Sequence, residues 1–187
     1  MKTALVLGGA SCLRADIEAY AGPFHGVVAC NEAGAEWAGA LDAWVSLHPM
    51  NFIGKGWIEK RSGPPARRLL AHEESKRAMW QDRYPAGIAF TDYRFPGQNR
   101  SGSSGLFAAK VALVDLGFDR AVLCGVPLTE TPHFFDREDW RGAEGFRSSW
   151  LALPEEYRDR MRSMSGWTRT LLGAPEIETK EKSDEQP

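Results

Sequence analysis

Cysteine, net charge and long hydrophobic runs are all scarce in this sequence, and each shortage argues against a class of protein. Three cysteines among 187 residues, an odd number, do not suggest a disulfide scaffold. A formal net charge of −2 gives no sign of the strongly basic face typical of nucleic-acid binding. The N-terminal apolar run, residues 4–7, is too short for a signal peptide or a membrane span. We therefore expect a cytoplasmic protein with no nucleic-acid partner and no membrane span.

The remaining composition is that of an ordinary globular protein, with 43% hydrophobic and 26% charged residues. We expect one domain over residues 1–173 and a disordered, charged tail over residues 174–187. Cys12, Cys30 and Cys124 each lie beside a predicted strand, which predicts reduced and mostly buried thiols. Nothing in the sequence indicates an oligomeric state.

Short apolar runs alternate with helical segments along the chain. This order predicts an α/β fold: a single Rossmann-like, doubly wound, mostly parallel sheet with helices on both faces. Adjacent buried strands are expected at residues 3–7, 27–30, 44–47 and 121–124. Further strands are predicted at residues 67–71 and 87–90, and a short strand or turn at 161–166. Helices are predicted at residues 12–20, 53–61, 73–80, 106–116 and 167–172, with a mostly helical segment at 143–162.

Small or polar residues follow several predicted strands or open a predicted helix. The carboxyl ends of parallel strands share one edge of a sheet, so we expect these residues to line one pocket. Backbone amides at the two helix starts would favour an anion such as a phosphate. The simpler alternatives are a turn-forming Asn, a rim His and an ordinary helix cap. The candidate binding residues are Gly8, Gly9, Ala10, Ser11, Asn31, His48, Ser103, Ser104 and Gly105.

Two further segments bear on function. Residues 128–140 leave a central strand with no regular period, and we interpret them as a substrate loop or lid. Between Lys55 and Arg83, eight basic residues face four acidic ones. We interpret this excess first as a solvated face, and second as a surface that steers anions.

Four motifs, in this order, resemble the Rossmann-like family that includes bacterial lipooligosaccharide sialyltransferases and 6-hydroxymethylpterin diphosphokinase-like proteins. They are Leu5-Val-Leu-Gly-Gly-Ala-Ser11, Ala29-Cys-Asn31, Leu47-His-Pro49, and Ser103-Ser-Gly105 running on to Leu123-Cys-Gly125. The resemblance implies that the nine candidate binding residues surround a cytidine nucleotide.

The sequence departs from this family at several positions. The sialyltransferases have Asn where His48 precedes the proline, and an acidic residue where Pro127 lies. Phe134 and Phe135 occupy a loop in which the transferases carry phosphate-holding tyrosines. The family's catalytic base is a later His, and the last His of this chain is His133, which becomes the candidate base.

The sequence thus favours a nucleotide-binding protein resembling a metal-independent glycosyltransferase that uses a CMP-type nucleotide sugar. No D-x-D motif follows a predicted strand, so we expect neither a catalytic metal nor a tightly bound cofactor. One alternative is a Mg-dependent diphosphokinase of the pterin type, for which Asp92, Asp136 and Asp139 are candidate metal ligands. Another is a non-catalytic module that binds a nucleotide or anion.

Overall fold

Seven strands form one sheet in which every neighbouring pair is parallel. The computed structural model describes residues 1–77, 81–133 and 142–176. The strands are β1 (Thr3–Leu7), β2 (Gly26–Cys30), β3 (Ala43–Ser46), β4 (Leu69–His72), β5 (Ala89–Thr91), β6 (Arg120–Cys124) and β7 (Met161–Ser163). Their order across the sheet is β5-β4-β3-β2-β1-β6-β7. The predicted Rossmann-like α/β fold is confirmed, and the sheet is entirely rather than mostly parallel.

The central strands are apolar at consecutive positions because both faces of the sheet are covered. Along β1, Ala4 and Val6 pack into one hydrophobic cluster, whereas Leu5 and Leu7 pack into a second. The four strands predicted to be adjacent and buried are β3, β2, β1 and β6, and they are neighbours in that order. A continuous apolar run is therefore a better guide to these strands than an alternating pattern.

The helices of the described residues are short, and most flank the sheet. They are α1 (Leu13–Ala19), α2 (Ala33–Glu36), α3 (Asn51–Gly54), α4 (Trp57–Lys60), α5 (Ser104–Lys110), α6 (Arg147–Leu151), α7 (Glu155–Arg158) and α8 (Gly166–Leu172). Helix α5 lies against β1, β2, β3 and β6 and is buried from Gly105 onward, which explains its nearly uninterrupted apolar sequence. No helix within the described ranges is long and apolar enough to cross a membrane.

Helix α5 widens into a π turn over Val111–Asp115, and an ion pair between a buried lysine and a more exposed aspartate spans the change. The ammonium of Lys110 donates to both carboxylate oxygens of Asp115, at 2.7 and 3.0 Å, and to Thr91 Oγ1 at 2.8 Å. A π turn bonds residues five apart, as the Leu116 amide does to the Val111 carbonyl at 2.9 Å. Gly117 then ends the helix with a φ of 69°, at the predicted stop.

Several predicted helices are wrong in extent. Residues 53–61 form two short helices, because Gly56 adopts a left-handed φ of 64° between them. A 3-10 turn over Glu73–Arg77 replaces the predicted helix at 73–80, whose last three residues lie outside the described ranges. Residues 143–162 form a 3-10 turn over Ala143–Phe146, then α6, α7 and the start of β7. The predicted disordered tail lies outside the described residues from position 177 onward.

Candidate functional site

The strand order reverses between β1 and β6, so the loops after these strands diverge and open a crevice at the carboxyl edge. The two loops are hydrogen-bonded to each other: the Gly8 amide donates to the Cys124 carbonyl at 2.8 Å, and the Ala10 amide to Gly125 at 3.2 Å. Gly125 has a φ of 70°, and a Cβ there would lie 2.5 Å from the Gly8 carbonyl oxygen. This close backbone approach requires glycine.

A cavity of about 660 Å³ lies at this edge. Eight of the nine predicted binding residues line it, together with the candidate base His133: Gly8, Gly9, Ala10, Asn31, His48, Ser103, Ser104 and Gly105. Ser11 is not among the lining residues; it is exposed to solvent, and its amide donates to the Pro132 carbonyl at 2.9 Å. The structure brings the predicted segments together, and their role in binding a nucleotide stays a prediction.

The start of α5 supplies amide donors to the cavity. The first hydrogen bond of this helix runs from the Phe107 amide to the Ser103 carbonyl at 3.0 Å. The amides of Ser104, Gly105 and Leu106 precede it and have no helical carbonyl to bond. A Cβ on Gly105 would lie 2.6 Å from Val126, so glycine lets this helix start approach the turn after β6.

Three amides of the glycine loop after β1 are hydrogen-bonded within the protein. The Gly8 amide donates to the last residue of β6, and the amides of Ala10 and Ser11 donate to carbonyls of the segment that follows β6. Helix α1 begins further along, at Leu13, whose amide donates to Ala10. Most amides of this loop are therefore hydrogen-bonded within the protein, whereas those at the start of α5 have no helical partner. Anion binding at the two helix starts stays a prediction.

Asn31 directly follows β2 with a φ of 50°, and its side chain is hydrogen-bonded to the neighbouring strand β3. Its backbone amide donates to the Val45 carbonyl at 3.0 Å, and its carbonyl accepts from Trp44 Nε1 at 2.6 Å. Its side-chain oxygen accepts a hydrogen bond from Ser46 Oγ at 2.9 Å. This hydrogen bond assigns the oxygen end of the Asn31 amide to Ser46, so the NH₂ group is the donor end. Asn31 is both a turn residue and a cavity residue.

Glu32 is a cavity residue that the sequence did not single out. Its side chain is only 8% exposed, and its Oε1 accepts a hydrogen bond from Nδ1 of His133, which is 29% exposed. An isolated antiparallel bridge between Ala10 and His133 holds the backbone of that histidine beside the loop after β1. The signal for Glu32 was its position directly after Asn31, at the carboxyl end of a central strand.

Lys55 and Lys60 also line the cavity. The basic excess between residues 55 and 83 was interpreted mainly as a solvated face, and these two lysines place part of it at the site. Arg61 has a structural role, because its guanidinium donates to the carbonyls of Gly34, Trp37 and Gly39 at 2.5 to 2.6 Å.

Of the candidate metal ligands, Asp92 lies in a separate small cavity near the end of β5, where it pairs with Arg94 at 3.1 Å. Asp136 and Asp139 fall outside the described residues, as do Phe134 and Phe135. Across the part of the chain that the structure describes, no group of three or more His, Cys, Asp or Glu residues could hold a metal ion.

The segment after β6, predicted to be a substrate loop or lid, is anchored at its start. Leu128 adopts an unusual φ of 46°, and its carbonyl accepts from both Nε and Nη2 of Arg147, at 3.1 and 3.0 Å. The same guanidinium lies 5.2 Å from the centre of the Trp167 ring. Thr129 and Thr131, further along this segment, line the cavity.

Comparison with known proteins finds solved structures with a similar fold. No protein-family model matches the sequence, and the curated proteins give no sequence match. Solved structures of the sialyltransferase CstII from Campylobacter jejuni do match. The CstII complex with cytidine-5'-monophosphate (CMP) is 13% identical with a TM-score of 0.56, over 93% of this chain and 85% of that chain. The complex with CMP-3FNeuAc is 13% identical with a TM-score of 0.61, over 95% and 90%.

A third CstII structure, with a trisaccharide acceptor and CMP, is 14% identical with a TM-score of 0.63, over 92% of this chain and 86% of that chain. At these identities the likeness shows a shared fold. It supports the sialyltransferase side of the predicted resemblance, whereas the link to pterin diphosphokinase-like proteins is not shown.

Proposed function

We propose that the protein binds a cytidine nucleotide in the cavity between the β1 and β6 loops and transfers the glycosyl group of a CMP sugar to a hydroxyl acceptor. One observation carries the proposal: the segments selected from sequence as nucleotide contacts line a single cavity. The fold is that of a sialyltransferase whose solved complexes contain CMP.

In this proposal, the start of α5 binds the phosphate of the nucleotide. The amides of Ser104, Gly105 and Leu106 are donors, and helix α5 with its π turn directs its positive end toward the cavity. Lys55 and Lys60 line the same cavity and add positive charge. This charge stabilises the phosphate most when it departs, because the leaving CMP gains negative charge as the glycosidic bond breaks.

His133 is the candidate base for the acceptor. In the transfer, the acceptor oxygen bonds to the anomeric carbon, the bond from that carbon to the phosphate oxygen breaks, and CMP leaves with the electron pair. The acceptor hydroxyl proton passes to the imidazole. Histidine suits this step because its intrinsic pKa lies close to neutral pH.

Titration of the purified protein with CMP, UMP, GMP and ATP, each with and without Mg²⁺, tests the binding step. We expect CMP to bind without metal. Ser104→Glu should abolish binding while the fold stays intact, because the new carboxylate would repel a phosphate at the start of α5. Ser148→Glu is the matched control, since Ser148 is exposed on α6 and does not line the cavity.

Each other outcome has a defined meaning. Metal-dependent ATP binding would favour the diphosphokinase alternative. CMP binding without transfer from any CMP sugar would favour a binding module. If Ser104→Glu binds CMP as tightly as the parent, or if the parent binds no nucleotide, the proposal is wrong. His133→Ala separates the two steps, because loss of a base removes transfer and preserves binding.

A further inference from the structure

A buried carboxylate contacts the candidate base. Oε1 of Glu32 and Nδ1 of His133 form a hydrogen bond, with the Glu32 side chain 8% exposed and the His133 side chain 29% exposed. Within the described residues, this histidine is the ion-pair partner of Glu32. An arginine or lysine that pairs with a carboxylate stays charged at all physiological pH values. A histidine in the same position gains or loses its proton near neutral pH.

Segments that follow three different strands meet at this carboxylate. Glu32 follows β2, His133 lies on the segment after β6, and Gly9 of the loop after β1 packs against the Glu32 side chain. A Cβ on Gly9 would collide with Oε1 and Cδ of Glu32, so the carboxylate occupies the space that a side chain would need. The glycine at position 9 is thus explained by Glu32.

We infer that Glu32 is a positioning residue that fixes His133 as its Nδ1–H tautomer and presents the Nε2 lone pair for proton transfer. The role in transfer rests on the proposed function, whereas the tautomer is a property of the ligand-free protein. An ionised carboxylate accepts only, so the hydrogen it receives belongs to Nδ1 and the basic nitrogen is Nε2. When Nε2 takes the acceptor proton, the carboxylate also stabilises the resulting imidazolium.

Other ionisable groups near this pair come from neighbouring elements. His48 follows β3, Lys55 and Lys60 lie on the α3–α4 segment, and Cys30 ends β2; all four line the cavity. Burial, and in addition the charge of Glu32, raises the pKa of the Cys30 thiol, so this group stays protonated at neutral pH. These residues are the same in parent and variant, so a difference between the two proteins reports on Glu32.

The first test is nitrogen-15 NMR of the imidazoles in the ligand-free protein. We expect the Nδ1–H tautomer for His133 in the parent. In Glu32→Gln, which keeps the shape and removes the charge, the pH of half-protonation of His133 should fall by about one unit or more, as when an opposite charge is lost at contact distance. Glu36→Gln is the matched control, because Glu36 lies on α2, pairs with Arg14 and does not line the cavity.

A parent that holds His133 as the Nε2–H tautomer, or a Glu32→Gln variant with unchanged half-protonation, would overturn the inference whether or not any nucleotide binds. If Glu32→Gln does not fold, as judged by circular dichroism, Glu32→Ala replaces it. This variant also removes the charge and should shift the His133 titration in the same direction, and an unshifted titration counts equally against the inference.

The second test uses transfer from a CMP sugar. We expect Glu32→Gln to lower kcat at least about tenfold with little change in KM, because the residue acts on the base and does not touch the donor. The acid limb of the pH–rate profile should move to lower pH along with the His133 titration. Transfer by Glu32→Gln at the parental rate and pH profile would overturn the inference. A parent that binds no nucleotide would instead contradict the proposed function, and the NMR result would still decide the pairing.

Discussion

The buried carboxylate of Asp16 on α1 accepts a 2.8 Å hydrogen bond from the backbone amide of Gly125, the residue that follows β6. Ser165, just before α8, donates its hydroxyl to the same oxygen at 2.8 Å. One side chain therefore joins segments that are more than a hundred residues apart in sequence. It fixes the turn after β6 at the point where the strand order reverses.

Asp16→Ala should lower the free energy of unfolding by about 1–3 kcal/mol, because the Gly125 amide would stay buried without its acceptor. Asp16→Asn should cost less, since an amide oxygen in the place of the accepting carboxylate oxygen can still accept both hydrogen bonds. Urea denaturation followed by tryptophan fluorescence measures both. Glu18→Ala, on the exposed face of the same helix, is the control and should change stability little. Equal stability of Asp16→Ala and Glu18→Ala would contradict this account.

The ion pair between Lys110 and Asp115 supports a second prediction. Removal of one partner leaves a charge uncompensated, and the Lys110 side chain is only 5% exposed. Asp115→Ala should therefore destabilise the protein by about 3 kcal/mol. The double variant with Lys110→Met and Asp115→Ala should recover most of this loss, because no buried charge remains. Chemical denaturation of the single and double variants provides the comparison, and a double variant less stable than Asp115→Ala would rule out this explanation.

The sheet could be predicted from sequence because its strands are continuous apolar runs, a pattern that follows directly from burial on both faces. The run at residues 3–7 matches β1 at both ends, and Gly117 ends the helix before β6 where expected. From the order of elements alone, the loops after parallel strands must meet at one edge. That rule predicted that Asn31, His48 and Ser103 lie close together, and all three line one cavity.

The remaining parts of the site depend on contacts that no local pattern encodes. In the sequence, Glu32 looks like an ordinary polar residue at the start of a helix. Its partner His133 is 101 positions away, so no local pattern indicates the pairing. The hydrogen bond from the Ser11 amide to the Pro132 carbonyl depends on the path of the loop after β6, and sequence periodicity does not describe that path. Helix lengths were overestimated where the helices are short, as at Gly56, because one left-handed residue can break a run of good helix formers.

A third prediction concerns Cys124. All three cysteines are free, and Cys30 and Cys124 are buried. Burial, with smaller contributions from Asp16 and Cys12, raises the pKa of Cys124 from 9.0 to about 12. In the unfolded chain the thiol ionises near its ordinary value, so between these values the unfolded state binds fewer protons. The contribution of Cys124 to stability is thus complete below pH 9.0 and is lost as the pH rises toward about 12.

Cys124→Ala removes this titration. Under reducing conditions, the free energy of unfolding of the parent should fall more steeply above pH 9.0 than that of the variant. Loss of the sulfur atom lowers the free energy of unfolding by the same amount at every pH, so it shifts the whole stability curve of the variant. The difference in slope between the two curves therefore reports on ionisation of the Cys124 thiol alone. Urea titrations at a series of pH values give both curves. Parallel curves would show that Cys124 titrates alike in the folded and unfolded states.

The last prediction separates the two roles of Asn31. Its φ of 50° suits Asn and Gly but strains Ala, so Asn31→Ala would mix backbone strain with loss of the amide. Asn31→Gly keeps the backbone geometry and removes the NH₂ donor that the hydrogen bond from Ser46 orients. We expect Asn31→Gly to weaken CMP binding by about 1–3 kcal/mol, the cost of leaving a buried ligand acceptor unpaired. Calorimetric titration measures this loss, and urea denaturation should find Asn31→Gly more stable than Asn31→Ala. If Asn31→Gly binds CMP as tightly as the parent while Asn31→Ala is destabilised, the residue serves the turn alone and its amide does not contact the nucleotide.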